Sequence, residues 1–139
     1  MGVILDTSVL IAAERGEVRL IPFLESLGEE SVGIAAITAS ALLHGGHRAS
    51  APDVRARRFA FVEALLDILP VFPFGLAEAR RHAELWADLV RAGRVIGPHD
   101  LQIGATALMR GAAVATLNPR EFRRVAGLRV VGVGGRRKK

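Results

Sequence analysis

Three acidic residues that are widely separated along the chain, Asp6, Asp100 and Glu121, have the chemistry of a metal-binding site. If they met in one cleft, their charges would repel, and either their pKa values would rise or a cation would neutralise them. A hard divalent ion such as Mg²⁺ or Mn²⁺ prefers oxygen ligands and keeps several of its waters. Such an ion can bind a phosphate oxygen and activate a water, so the constellation predicts metal-assisted hydrolysis of phosphodiester bonds.

Three polar residues near these acids are candidates for supporting or substrate-binding roles. Ser8 lies close behind Asp6 in the sequence, and Thr116 and Asn118 lie shortly before Glu121. The two hydroxyl groups can hydrogen-bond a carboxylate or a ligand, and the amide can orient the substrate or a metal ligand.

Each acidic residue also has a purely structural interpretation. Asp6 stands where it would cap the N-terminus of a helix. Asp100 falls in a first helical turn, where the helix dipole favours an acid. Glu121 follows Asn118 at capping-box spacing. The functional interpretation therefore depends on the three acids lying together.

The surrounding sequence alternates short β-branched runs with longer helical stretches, which predicts an α/β fold. We expect a mostly parallel central sheet of four to five strands with helices on both faces. Ligand sites in such sheets lie beyond the carboxyl ends of the strands, so Asp6, Thr38 and Asn118 should gather at one edge. The predicted strands are 3–5, 31–36, 70–72, 113–116 and 129–133, and the predicted helices are 7–15, 18–27, 38–44, 52–69, 76–91, 98–110 and 119–125.

Length and composition fit one ordinary domain. The chain has 139 residues, of which 50% are apolar and 24% charged, so it can bury a core and is not disordered as a whole. We expect a single domain over 1–133 and a flexible basic tail over 134–139. Four of the five net positive charges lie in that tail, which leaves the rest nearly neutral.

The absence of cysteine excludes a disulfide scaffold, a thiolate zinc site and a cysteine nucleophile. It is compatible with the reducing cytoplasm, where we expect the protein to act. The longest apolar run with almost no charge, 32–43, is shorter than the roughly 20 residues that cross a bilayer, so no membrane association is expected.

Four segments, in order and spanning nearly the whole chain, resemble the PIN-domain family, in particular the VapC ribonuclease toxins of toxin–antitoxin pairs. The first is Val-Ile-Leu-Asp-Thr-Ser at 3–8, and the second joins Ile-Thr at 37–38 to Leu-Leu-His-Gly at 42–45. The third runs from Ile96 through Asp100 to Leu108, and the fourth is Val-Ala-Thr-Leu-Asn-Pro-Arg-Glu-Phe at 114–122.

The resemblance implies a PIN-type fold, cleavage of RNA that depends on Mg²⁺ or Mn²⁺, homodimerisation, and inhibition by a VapB-like antitoxin. Asp6 matches the first acid of the family motif and Asp100 the third. Glu121 falls where a fourth acid, usually aspartate, is expected.

One position departs from the family pattern. The second acid belongs to a Thr-x-x-Glu-Leu pattern, but this chain has Thr38-Ala-Ser-Ala41-Leu42, so the acidic position is lost at Ala41. Either an active nuclease has been inactivated by a Glu-to-Ala change, which the intact remaining acids favour, or the chain is a naturally degenerate member. In both cases we expect weak metal binding and poor RNA cleavage.

Several alternatives stay open. The chain could be a non-catalytic PIN-fold module that binds RNA or an antitoxin, or, more distantly, a phosphatase with Asp6 as nucleophile. His44 and His47 form a possible metal pair, although we expect the glycines between them to end the helix. Trp86 is expected in the core, with a dimer contact as the second interpretation.

Overall fold

The computed structural model describes residues 2–133, so the tail predicted at 134–139 lies outside the described residues. Within that range the strands are β1 (Gly2–Leu5), β2 (Ser31–Ala35), β3 (Val71–Phe72), β4 (Ala112–Thr116) and β5 (Val130–Gly132). The helices are α1 (Thr7–Glu14), α2 (Leu20–Ser26), α3 (Ala36–Arg48), α4 (Pro52–Ile68), α5 (Leu76–Ala92), α6 (Pro98–Met109) and α7 (Pro119–Phe122).

The five strands form one parallel sheet in the order β3-β2-β1-β4-β5. The first strand lies at the centre of the sheet, and its wholly apolar residues suit burial from both sides. Its neighbour β4 pairs with it in a register that sets Leu5 beside Ala115. The predicted parallel α/β sheet with helices on both faces is therefore confirmed.

Alternate residues of β1 face two separate parts of the core, as the strand pleat requires. Val3 and Leu5 join the cluster that α1, α3 and α4 cover. Ile4 joins the cluster on the opposite face, together with Ile103 of α6 and Phe122 of α7. Both faces of the sheet are thus sealed, and its carboxyl edge is left for polar groups.

The third helix does not stop at Gly45 and Gly46 as predicted, but continues to Arg48. Gly46 is buried, and a Cβ atom there would stand 2.8 Å from the ring of Phe59 on α4. Close packing of α3 on α4 therefore needs a glycine at this point, and this contact outweighs the low helix propensity of glycine.

Other predicted boundaries move by a few residues. The second helix begins at Leu20 rather than residue 18, and α7 ends at Phe122 rather than residue 125. The core assignment of Trp86 is wrong, since the side chain is 55% exposed while its helix buries Leu85 and Leu89. No helix within residues 2–133 is long and apolar enough to cross a membrane.

Candidate active site

Asp6 stands at the carboxyl edge of the central strand and is only 3% exposed. Its backbone N–H donates to the carbonyl of Ala115, which ties it to the end of β4. Its Oδ2 accepts hydrogen bonds from Oγ of Ser8, at 2.6 Å, and from Oγ1 of Thr116, at 2.8 Å. These hydroxyl groups satisfy and orient a buried carboxylate that would otherwise be costly.

The interpretation of Asp6 as a side-chain cap is wrong. The residue occupies the position before α1, but its carboxylate makes no capping hydrogen bond to the helix. The Asp6 carboxylate is therefore oriented by Ser8 and Thr116 rather than by the end of α1.

Asp100 lies in the first turn of α6 and faces the other two acids. Burial, and then the negative charges of Asp6 and Glu121, raise its pKa from 3.8 to about 7, and a hydrogen bond with the Glu121 side chain adds to the rise. The structure therefore brings these three carboxyl groups into one electrostatic cluster, which we call the acidic cluster.

Glu121 does not form the capping box expected with Asn118, whose side chain makes no capping bond to α7. Instead its Oε1 accepts a long hydrogen bond, 3.5 Å, from the backbone N–H of Gly97 at the start of α6. Asn118 is exposed, and its backbone N–H donates to Oγ1 of Thr116. Asp100, Asn118 and Glu121 line one open cavity of about 490 Å³.

A second hydrogen-bond group beside the acidic cluster was not predicted. Oγ1 of Thr7 bonds Oγ1 of Thr38 at 2.8 Å and Nε2 of His99 at 2.9 Å. Thr7 and Thr38 are buried and His99 is half-buried, so the three join the beginnings of α1, α3 and α6 next to Asp6 and Asp100. The sequence signals of this group are the adjacency of Thr7 to Asp6, the adjacency of His99 to Asp100, and the position of Thr38 after the second predicted strand.

Ala41 lies on α3 and lines a different cavity from the acidic cluster. Its neighbours there include three arginines, Arg15, Arg48 and Arg58, and one acid, Glu14. This cavity shares Ile11 and Arg15 with the neighbouring cavity of Ser8, the residue that hydrogen-bonds Asp6.

The expectation that Gly45 and Gly46 end the helix between His44 and His47 is wrong, because α3 runs unbroken through the two glycines. His47 packs edge-on against the Phe59 ring, with ring centroids 4.9 Å apart. This contact gives His47 a packing role.

The acidic cluster suits a hard divalent cation by its chemistry. All its donors are carboxylate oxygens, and their crowding is the condition that a cation relieves. Within residues 2–133, however, no group of three or more His, Asp or Glu side chains is arranged to hold a metal ion as it stands. Magnesium keeps several waters and often takes only one or two carboxylates, and Asp6 and Asp100 are the residues that would hold it.

The fold and the acidic cluster define a class of protein. Residues 3–128 match the family model described as the PIN domain. The chain is 35% identical to ribonuclease VapC1 of Rickettsia felis, over 98% of this chain and 99% of that protein. It is 30% identical to the tRNA(fMet)-specific endonuclease VapC of Shigella flexneri, over 90% of this chain and 92% of that protein.

A solved structure agrees with these relatives. VapBC-5 of Mycobacterium tuberculosis, a member of the VapBC family of toxin–antitoxin systems, superposes with a TM-score of 0.76 at 31% identity, covering 95% of this chain and 98% of the other. The chain therefore belongs to the PIN-domain family, and within it to the VapC group.

Proposed function

We propose that this protein is a ribonuclease toxin that hydrolyses RNA phosphodiester bonds with Mg²⁺ or Mn²⁺ at the acidic cluster. One observation carries the proposal: burial and the neighbouring charges of Asp6 and Glu121 raise the pKa of Asp100 to about 7. Strongly perturbed pKa values among grouped acids are typical of functional sites, and this arrangement concentrates negative charge at the sheet edge. The relatives named as VapC ribonucleases support the same function.

In this proposal Asp6 and Asp100 hold the cation, and Ser8 and Thr116 fix the orientation of Asp6. The bound cation would supply the charge that polarises a phosphate oxygen and lowers the pKa of a water. Glu121, hydrogen-bonded to Asp100, helps to raise the pKa of Asp100 and so affects how readily Asp100 ionises. Asn118 lines the same cavity and is placed to contact the substrate.

We further propose that catalysis is weak in this chain because Ala41 provides no carboxylate. The substitution Ala41→Glu should raise cleavage of single-stranded RNA in Mn²⁺ by about 100-fold or more, the usual cost of one catalytic group. Ala41→Gln is the matched control, with the same length and no charge. A second control adds Asp100→Asn to Ala41→Glu and should abolish the gain.

We propose a substrate and a partner on the basis of the relatives. The Shigella flexneri relative is named for initiator tRNA, so tRNA(fMet) is the first substrate to test against other RNAs. The similar VapBC-5 structure belongs to a toxin–antitoxin family, so we propose a VapB-like antitoxin that blocks the cleft in the cytoplasm. Co-purification with the product of a small neighbouring open reading frame, and loss of RNA cleavage in that complex, would test this pairing.

We also propose a homodimer, with the exposed Trp86 on α5 as a contact. The side chain is 55% exposed and stands beside Ala83, Ala87 and Val90 in an apolar depression. Light scattering during gel filtration should give twice the chain mass, and Trp86→Glu should halve it.

A non-catalytic PIN-fold module that binds RNA or antitoxin is the second candidate. Two observations favour it: Ala41 in place of an acid, and the lack of a ready three-residue metal group within residues 2–133. The same experiment separates the two candidates. A module that lost catalysis long ago should gain nothing from Ala41→Glu, and its metal affinity should stay unchanged.

A further inference from the structure

Three neighbouring surface cavities form a row that leads away from the acidic cluster, and we call this row the groove. The cavity of Asp100 and Glu121 shares Leu117 and Asn118 with a second cavity, which is also lined by Ser8. That second cavity shares Ile11 and Arg15 with the cavity of Ala41. Because each neighbouring pair shares wall residues, the three cavities follow one another along α1, from the sheet edge to the crossing of α3 and α4.

Arginines line both ends of this groove. Arg15, Arg48 and Arg58 belong to the α3–α4 end, and Arg120 and Arg123 flank the acidic cluster at the other. All but Arg58 are exposed, and Nη1 of Arg58 donates to the carbonyl of Gly45 at 3.0 Å, which holds its guanidinium at the wall.

The groove also contains acids, which decide what ligand it suits. Glu14 lies among the three arginines of the α3–α4 end, and Glu17 lies in the middle cavity. The α3–α4 end is therefore net positive, while the negative charge is concentrated at Asp100 and Glu121. A ligand with spaced negative charges fits the arginines at the two ends, and beside Arg120 and Arg123 it passes the site where we place the cation.

The dimensions favour a chain rather than a small anion. From Ser8, beside Asp6, to Arg15 the helix rises about 10 Å. A ligand that reaches the acidic cluster and these arginines together must be extended. Guanidinium groups match phosphates in a bidentate fashion, so a chain of phosphates meets this requirement.

The wall between the charged ends provides apolar surface for unpaired bases. Ile11 is 37% exposed where the cavity of Ser8 meets the cavity of Ala41, and Phe61 is partly exposed on the side of α4. Bases contact such side chains only when they are not in a duplex.

We propose that a single-stranded segment of RNA lies along this groove. Arg15 and Arg48 bind phosphates on one side of the bond to be cut, and Arg120 and Arg123 bind phosphates on the other. The proposal rests on the proposed function, since it takes the acidic cluster as the cleavage point, and it assigns the substrate-binding residues that the family motifs do not include.

The test is fluorescence anisotropy with a labelled single-stranded oligoribonucleotide of about 12 nucleotides, a length within the usual site sizes. EDTA is present, so binding is measured without cleavage. Arg48→Ala and Arg120→Ala should each weaken binding severalfold and lower the slope of log affinity against log salt by about 0.7. Arg57→Ala is the matched control, because Arg57 is exposed on α4 next to Arg58 but does not line the groove.

Each other result would overturn the groove assignment. If RNA affinity fell equally in Arg48→Ala, Arg120→Ala and Arg57→Ala, the protein would attract RNA by its overall charge only. The basic tail is present in every variant, so its contribution is the same in each comparison. No loss in the two groove variants would show that RNA binds elsewhere on the protein. No binding by the unchanged chain at low salt would show that the groove does not take RNA. A third such result is that an acidic peptide, and not the RNA, requires Arg48, since the groove would then receive a protein partner.

Failure of this proposal is distinguishable from failure of the proposed function. Binding in EDTA needs no cation and no catalysis, whereas the Ala41→Glu assay reads cleavage alone. If RNA bound through Arg48 but was never cleaved, the groove proposal would stand and the proposed nuclease function would fail.

Discussion

The hydroxyl of Thr116 donates to the carboxylate of Asp6 across 110 residues of sequence, at 2.8 Å. The sheet register explains why the two meet. Since Leu5 pairs with Ala115, the next residue of each strand, Asp6 and Thr116, reaches the carboxyl edge at the same level. The orientation of the first acid is therefore built into the pairing of β1 with β4.

Removing this hydroxyl should loosen Asp6. Thr116→Val keeps the shape but leaves a buried carboxylate short of one donor, so we expect a loss of about 1–3 kcal/mol in the free energy of unfolding. Affinity for Mn²⁺ should fall by about 10–100-fold, as is usual when the partner of a metal ligand is lost. Urea denaturation and electron paramagnetic resonance of Mn²⁺ measure the two effects.

Two controls accompany that variant. Thr116→Ser retains the donor and should keep the metal affinity. Thr106→Val removes a buried hydroxyl that bonds the carbonyl of Gln102 within α6, so it should affect stability alone. If Thr106→Val lowered Mn²⁺ affinity as much as Thr116→Val, the Thr116 hydroxyl would have no special part in placing Asp6.

The raised pKa of Asp100 predicts how stability depends on pH. In the folded chain the pKa is about 7, against 3.8 ordinarily, so between these pH values the native state holds a proton that the unfolded state has lost. Stability from this group is complete below about pH 4 and decreases as the pH rises through 7. In the absence of metal, the free energy of unfolding should fall less between pH 5 and pH 8 in Asp100→Asn than in the unchanged chain.

Asp67→Asn, an exposed site on α4, is the control for the pH series. Added Mn²⁺ should reverse the trend in the unchanged chain, because the cation binds the ionised form and its affinity rises with pH. Identical pH profiles for Asp100→Asn and the unchanged chain would mean that Asp100 is not crowded by the other two acids.

The adjacent glycines of α3 should respond oppositely to alanine. At Gly45 nothing lies within 4 Å of an added Cβ, so Gly45→Ala should stabilise the helix by about 0.5–1 kcal/mol. At Gly46 the added atom would stand 2.8 Å from the Phe59 ring, so Gly46→Ala should destabilise by about 1–3 kcal/mol. Thermal unfolding of both variants tests this, and equal shifts in Tm would refute the close contact of α3 with α4.

The parallel sheet and the residues at its carboxyl edge could be predicted from the sequence, because they depend on local pattern and on general rules for parallel sheets. Asp6 follows a buried strand, Thr116 ends another, and parallel strands bring such residues to one edge. The sheet was predicted for this reason, and the grouping of polar residues at its edge follows from the same rule.

Features that depend on contacts between distant elements could not be read in this way. Gly46 stays helical because of a ring on α4, whereas its own propensity favours a stop. Trp86 lies outside the core because Leu85 and Leu89 take the buried side of α5. The bonds of Thr7 to Thr38 and His99 join residues 31 and 92 positions apart, and nothing in the local sequence encodes those distances.

The central claim is that Asp6 and Asp100 bind one divalent cation, and a Mn²⁺ titration followed by electron paramagnetic resonance tests it most directly. We expect weak saturable binding by the unchanged chain, at least about tenfold weaker binding by Asp6→Asn and by Asp100→Asn, and no change in Asp88→Asn, whose acid is exposed on α5. Equal affinity in all four proteins, or no binding even after Ala41→Glu, would contradict the account.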